Sequence, residues 1–399
     1  MKWRTEKTPV TMLVFLTGLA ILSLALAERS VMLVRQPYYE EKLRAAKTML
    51  LAMNMIKNEG QARGLVLDPV NDPNSTGLIG SEFTLITTDQ GDLTAKLTTT
   101  NPNFAAVVVD MLAKAKLKKG DAVAVGVTGS FPALNIAVLA ALESLDLKPV
   151  VITSVGSSSW GANDPRMTWP DMEGVLREKG IIRAHSIAAS IGGGKDLGRG
   201  LSPEGRNLVL QAIRRNKIRL IFKPLLEESI QTRIKLYDEA VRGKKIKAYI
   251  NVGGGMASLG SPINGDLFPS GLSRNFGQRN FPTKGVMILL AERGLPVIHL
   301  LNIPEIAKRY GLPLDPVPLP ELGQGAVYFK EHYDRMRLIL ITLMLVGATM
   351  VMIRINLFHY LAQLRQIQSR GVSTGSSVLP PIEPQSDKTD SIKSPRSET

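Results

Sequence analysis

A chain of 399 residues with 49 Lys and Arg against 35 Asp and Glu carries a formal charge of +14, a surplus that suits anionic lipid, nucleic acid or an acidic polymer. Aromatic residues make up 5% of the sequence, thin for base-stacking platforms, so nucleic acid is not expected as a partner. Cysteine is absent, which excludes disulfides, thiolate metal sites and cysteine nucleophiles and leaves stability to the core.

Residues 1–9 include Lys2, Arg4 and Lys7, and Val10 to Ala27 then runs without a charge. That run approaches the roughly 20 residues a helix needs to cross a hydrocarbon core. By the positive-inside tendency the preceding cations hold the N-terminus in the cytoplasm and send the following chain across. Ala25-Leu26-Ala27 also has the small-x-small form of a cleavage site, so residues 10–27 read as an anchor or as a signal peptide. Either one exports residues 28–335.

From Gln36 to Gly60, Tyr38, Leu43, Ala46, Met49, Leu50, Met53 and Ile56 make a helical apolar stripe, either a stalk or the first helix of a domain. Gly77 to Thr100 alternates apolar and polar residues (Phe83, Leu85, Leu93, Ala95, Leu97) around Asp89-Gln90-Gly91-Asp92, which predicts a hairpin. Asn101 to Ala115 then reads as a helix with Pro102 in its first turn, and Ala122 to Val127 as a buried strand. An apolar helix over Leu134 to Leu145 and a β-branched strand over Pro149 to Thr153 complete a βαβ unit.

The alternation continues: a helix at Asn207–Arg215 precedes a strand at Arg219–Phe222, Glu227–Val241 precedes Ala248–Val252, and Val286–Arg293 precedes Pro296–Leu301 and a helix from Pro304. Such alternation predicts an α/β fold with a mostly parallel, doubly wound sheet, large enough for two subdomains. Leu338 to Ile353 is a second uncharged run, extended to residue 357 by an interfacial margin, and it reads as a second span that returns the chain to the cytoplasm. Residues 369–399 are rich in Ser, Pro, Thr and charge and read as a disordered cytoplasmic tail. The expected location is the cytoplasmic membrane, with the main domain outside.

In open α/β sheets, ligands bind outside the carboxyl ends of the strands. That points to Thr128-Gly129-Ser130-Phe131-Pro132, where hydroxyls and free N–H groups meet a helix N-terminus and favour an anion. Ser130 is the leading candidate, although Ser and Thr also serve here as plain helix caps. The segment lacks the Lys of a Walker loop and does not fit the G-x-S-x-G elbow. The next strand ends in Ser157, Ser158, Ser159, Trp160 and Asn163, which make either a second polar loop with an apolar plate for a ligand or a Ser-rich turn plugged by Trp.

Gly192-Gly193-Gly194-Lys195-Asp196 and Gly253-Gly254-Gly255 are further loops where backbone can approach a ligand or simply turn. Glu82, Lys96, Asn101 and Asn103 offer acid, cation and amide groups. The four histidines, at 185, 299, 332 and 359, have no zinc-helix spacing, so neither a metal nor another cofactor is expected. If the site is catalytic, Ser130 is the nucleophile, amides near Gly129 hold the oxyanion, and His185 or Lys96 is the base.

Three stretches carry a resemblance: Asn101-Pro102-Asn103-Phe104-Ala105-Ala106, Gly126 to Asn135, and Ser159-Trp160-Gly161-Ala162-Asn163. With them the chain resembles, over most of residues 10–355, the bacterial poly-gamma-glutamate system proteins of the PgsW type. The resemblance implies a part in making, exporting or processing that polymer, with other membrane proteins of the system as partners. The polymer is synthesised elsewhere in such a system by an ATP-dependent amide ligase, to which this chain is not similar. A polymer with one carboxylate per residue also suits a basic surface and helix N-termini. The expectation is a membrane-anchored component that binds poly-gamma-glutamate, another carboxylate-bearing ligand, or the synthase. The alternatives are a serine-dependent hydrolase or transferase acting on the polymer and a small-molecule sensor.

Overall fold

The computed structural model describes residues 10–274, 280–281 and 283–371. Two compact units result: Leu33–Glu331, and the two chain ends that flank it. Residues 1–9 and the expected tail from 372 lie outside the described residues.

The described residues open with α1 (Val10–Glu28) and β1 (Val31–Arg35), followed by α2 (Tyr39–Ala62). α2 is a helix of the large unit and not a free stalk: Ala45, Met49, Ala52, Met53 and Ile56 are buried in its main core. Buried Lys42 also binds Asp110 at 3.0 Å and the Val327 carbonyl at 3.0 Å.

The expected hairpin over 77–100 does not form. β2 (Thr87–Asp89) is a three-residue strand, and α3 (Leu93–Thr99) follows it, capped by Asp92, whose side chain accepts from the Ala95 N–H at 3.1 Å. Leu93 and Leu97 stand four apart, a spacing that suits one helix face as well as alternate strand positions.

α4 (Phe104–Lys114), β3 (Ala122–Thr128), α5 (Pro132–Ser144) and β4 (Lys148–Ser154) realise the first βαβ unit. β5 (Ser157–Ser158) pairs in parallel with β2. Then come α6 (Trp169–Glu178), β6 (Ser186–Ser190), α7 (Pro203–Arg215), β7 (Arg219–Leu220), α8 (Leu226–Ala240) and β8 (Ile246–Val252). The chain continues through α9 (Met256–Leu259), α10 (Ile263–Leu267), β9 (Gly271–Ser273), α11 (Val286–Glu292), β10 (Val297–Leu300) and α12 (Ile303–Tyr310). β11 (Phe329–Tyr333), which pairs with β1, and α13 (Arg335–Gly371) complete it.

One seven-stranded sheet organises the large unit, in the order β7-β6-β4-β3-β8-β10-β9, with β9 alone antiparallel to its neighbour. No second sheet of comparable size divides the unit among the described residues. Alternation along β3 shows why helices cover both faces. Val123, Val125 and Val127 enter a core with α2, α4 and α5, whereas Ala122 and Ala124 enter another with α8 and α11. Strands buried on both faces read as continuous apolar runs, and β3 does.

In the flanking unit α1 and α13 pack on each other and both are long and apolar enough to cross a membrane. Leu13, Val14, Phe15, Ile21 and Leu24 of α1 and Ile339, Leu340, Leu343 and Met350 of α13 are exposed. α13 continues well past residue 357, through residues first expected to belong to the tail.

Candidate functional site

Strand order reverses at β3. After β3 the chain moves outward through β4, β6 and β7, and it returns to the other side of β3 with β8, then β10 and β9. The connections leaving β3 and β8 therefore diverge to opposite faces: α5 packs into the core on one side, α9 into the core on the other. Such divergence opens a crevice at the carboxyl ends of the two strands. A cavity of about 1070 Å³ occupies that place, lined by Thr128, Ser130, Ser158 and Gly254 from the strand-end loops and by Lys96 from α3.

Two glycines allow the loops to close on each other. A side chain at Gly129 would run into the Val155 carbonyl oxygen, and Gly253 adopts φ 81° with Thr128 against it. Glycine is the residue that takes both constraints without strain.

Lys96 is the chemical centre of the cavity. Its residue is 2% exposed, yet its amine reaches the lining, donating to the Ser130 carbonyl oxygen and lying 3.0 Å from Ser158 Oγ. The Phe131 ring packs 4.7 Å from the amine. Burial pushes the Lys96 ammonium down to about 7, against the opposing pull of Asp92. Removing the cation from water without a carboxylate in direct contact is what makes the neutral amine accessible near neutrality. The Ser158 N–H donates to Ser130 Oγ at 3.0 Å, so the two loops are stitched together around the amine.

A third strand end contributes the loop after β6. Gly193, Gly194, Lys195 and Arg199 line the cavity, with Lys195 and Arg199 exposed on its rim. Lys195 and Asp196 both take left-handed backbone, φ 56° and 62°. A buried polar knot holds them there: Asp196 accepts from Ser190 Oγ and Ser229 Oγ, each at 2.6 Å, and pairs with Arg233 at 3.1 Å. Ser154 joins the same knot from the end of β4. Asp89, Asp92, Asp266 and Glu305 line the cavity as well, with Arg309 as a further cation, so acids and bases share the site in balance.

Of the residues expected from the sequence, Thr128, Ser130, Ser158, Gly254 and Lys96 converge on the cavity. Others take structural roles around it. Ser157 Oγ donates to the Ser158 carbonyl, and Ser159 N–H donates to the Asp89 carbonyl at 3.0 Å. Asn163 is buried and ties Ser81 and Thr87 through its amide. Trp160 does not line the cavity: it sits in a turn with φ 59°, its backbone N–H donating to the Ser81 carbonyl. Gly129 and Gly253 shape the loops behind the wall. Asn101 and Asn103 pair with each other in the core, where Asn103 also accepts from Tyr328 Oη at 2.9 Å, and Glu82 is exposed elsewhere.

His185 is corrected as a base. It precedes the first residue of β6, and β6 runs parallel to β4, so His185 stands at the amino edge of the sheet while Ser130 stands at the carboxyl edge. Four strand steps at roughly 3.3 Å each separate those edges along β6 alone. Sequence reasoning missed Arg199 and the Asp196–Arg233 pair, because β6 is small and hydroxyl residues apart from Ile187 and gives too short an apolar run to announce a strand end before Gly192. The run of glycines around Lys195 was the available signal.

The chain matches no family model, no curated protein and no solved structure. Fold and geometry therefore define the class by themselves: an α/β domain with a cleft at its topological switch point, and two apolar helices at the ends of the chain.

Proposed function

We propose that the protein is a membrane-anchored component of a bacterial poly-gamma-glutamate system and that its large unit binds the polymer, or another carboxylate-bearing chain, in the switch-point cleft. In this reading α1 and α13 both span the cytoplasmic membrane and Leu33–Glu331 lies outside. The observation that carries the proposal is the convergence of Lys96, Lys195 and Arg199 on one cleft of about 1070 Å³, at or above the roughly 300–1,000 Å³ of ordinary small-molecule sites. Cations held on the rim by the Asp196 knot suit repeated carboxylates. Asp89 and Asp92 within the same lining suit the free amine at one end of a γ-glutamyl chain, so the cleft favours a chain terminus over a uniform polyanion. The exposed apolar faces of α1 and α13 support the membrane assignment, because contiguous apolar surface of that extent calls for a partner.

The test uses the full-length chain in lipid nanodiscs. Its affinity for poly-gamma-glutamate is expected to fall with added salt and to drop further in a Lys195→Glu, Arg199→Glu double variant. Absence of binding at low salt, or equal binding by the double variant, ends the polymer reading. Protease added to intact cells is expected to digest the large unit; digestion only after lysis reverses the topology.

A further inference from the structure

We propose that Ser158 and Lys96 form a nucleophile–base pair, and that the cleft performs acyl transfer on an amide or ester carbonyl. The choice of a γ-glutamyl amide as substrate rests on the polymer reading; the pair itself does not.

Sequence order points to Ser130, but the contacts point to its neighbour across the loop. Ser130 gives its carbonyl to the Lys96 amine, and its hydroxyl oxygen accepts from the Ser158 N–H, whereas it is Ser158 Oγ that the amine reaches. It is a positioning residue. Ser158 lines the cavity, is half-buried, and presents Oγ 3.0 Å from Lys96 Nζ. Hydrogen-bond reach between hydroxyl and base, with the base fixed by a further group, is the geometry nucleophilic catalysis requires. Lys96 is fixed from two sides, by the Ser130 carbonyl and by the Phe131 ring.

The protonation state determines the direction of the contact. As an ammonium, Lys96 donates to Ser158 Oγ. As a free amine it keeps one N–H on the Ser130 carbonyl, and its lone pair can accept the Ser158 proton. With the ammonium pushed down to about 7, both states are populated near neutral pH.

The step balances within the cleft. Ser158 Oγ bonds to the substrate carbonyl carbon as its proton passes to Lys96, and the carbonyl electrons move to oxygen. The C–N bond then breaks, the carbonyl reforms, and the departing amine takes the proton from Lys96. Water attacks the Ser158 ester with Lys96 again as base, releasing a carboxylate and returning the proton to Ser158. The sum is amide plus water giving carboxylate plus amine, with no oxidant, reductant or nucleotide consumed.

The test treats the full-length chain in nanodiscs with a serine-reactive fluorophosphonate and maps the adduct by mass spectrometry. One adduct is expected, on Ser158, forming at a rate that rises with pH through about 7 and falls roughly 100-fold or more in Lys96→Met. Ser130→Ala is expected to slow labelling while leaving its position and pH midpoint in place. Because the chain has no cysteine, Ser158→Cys places a unique thiol beside an intact Lys96. Its alkylation by iodoacetamide is expected to follow a thiol pKa well below the ordinary value of about 8.5. An adduct on Ser130, no adduct on Ser158, labelling of Lys96→Met at the wild-type rate, or an ordinary thiol titration overturns the pair.

Incubation with poly-gamma-glutamate separates the two readings. New amino termini produced by wild type and not by Ser158→Ala support both. Labelling at Ser158 without binding or cleavage of the polymer keeps the pair and removes the polymer. Binding of the polymer with no labelling and no cleavage keeps the polymer and removes the pair.

Discussion

Lys96 at the carboxyl edge of the sheet and Glu173 near its amino edge are two versions of the same physical event. Each is 2% exposed, and burial moves each to about 7, the lysine downward and the glutamate upward. Their surroundings differ. Glu173 accepts from the Ser186 N–H at 2.8 Å and from Ser186 Oγ at 3.1 Å, in the packed seam between α6 and β6 and away from the cleft. Lys96 instead faces a cavity and a hydroxyl with room beside it. Desolvation alone thus marks burial; desolvation at the mouth of a switch-point crevice marks a candidate for chemistry.

The two groups leave opposite signatures in stability. Between about 7 and 10.5 the unfolded chain holds a proton at Lys96 that the folded state has released, so stability rises with pH by about 1.4 kcal/mol per unit, or about 5 kcal/mol across the window. Lys96→Met is expected to abolish that rise in denaturant titrations at stepped pH. A slope unchanged in the variant makes the lysine an ordinary one and breaks the comparison.

Next in size is the knot beneath the third loop. Asp196→Ala leaves Arg233, 4% exposed, as an uncompensated buried cation, and a cost of about 3–5 kcal/mol is expected in denaturant unfolding. The same variant frees Lys195 and Arg199 from their set positions and is expected to weaken polymer binding. Full affinity in a destabilised Asp196→Ala protein detaches the loop from the site.

For Glu173 the sign is reversed. Its folded-state proton is held more tightly than the unfolded one, so its contribution is complete below about 4.5 and is lost as pH rises through about 7, amounting to about 3 kcal/mol. Together the two groups put a stability minimum near pH 7. Glu173→Gln is expected to remove the falling limb and leave labelling of Ser158 untouched. Loss of labelling in this variant joins the two edges functionally and overturns the contrast drawn between them.

The same contrast explains what the sequence made legible. β3, α5 and β4 are announced by continuous apolar runs, since strands buried on both faces have nothing polar to interrupt them. The loops after β3 and β4 followed from the rule that ligands sit at strand carboxyl ends, whereas the strand order that opens the crevice between β3 and β8 had no local signature. β6 stayed hidden because Ser186, Ala188, Ala189 and Ser190 are small or hydroxylic, and with it went the Arg199 rim and the correct edge for His185. The hairpin over 77–100 failed for another reason: Thr84, Thr87 and Asn163 bond the segment to a loop from beyond β4, a long-range partnership with no local periodicity. Which hydroxyl meets Lys96 was equally illegible. Ser130 and Ser158 lie 34 and 62 residues away, and only the register of β3 on β4 brings both to one amine.

His185 provides the smallest expected effect and the cleanest control on the two edges. It is exposed, and burial together with neighbouring Arg177 lowers its imidazolium pKa, so it is largely neutral at pH 7 with little to lose on truncation. His185→Ala is expected to change stability by less than about 0.5 kcal/mol, as exposed substitutions away from special features do. Labelling of Ser158 and its pH midpoint are expected to stay at wild-type values, because the imidazole lies a strand's length from the cleft. A shifted midpoint in His185→Ala would mean that a proton path links the amino edge to Lys96, and the assignment of the base would pass from one residue to a relay.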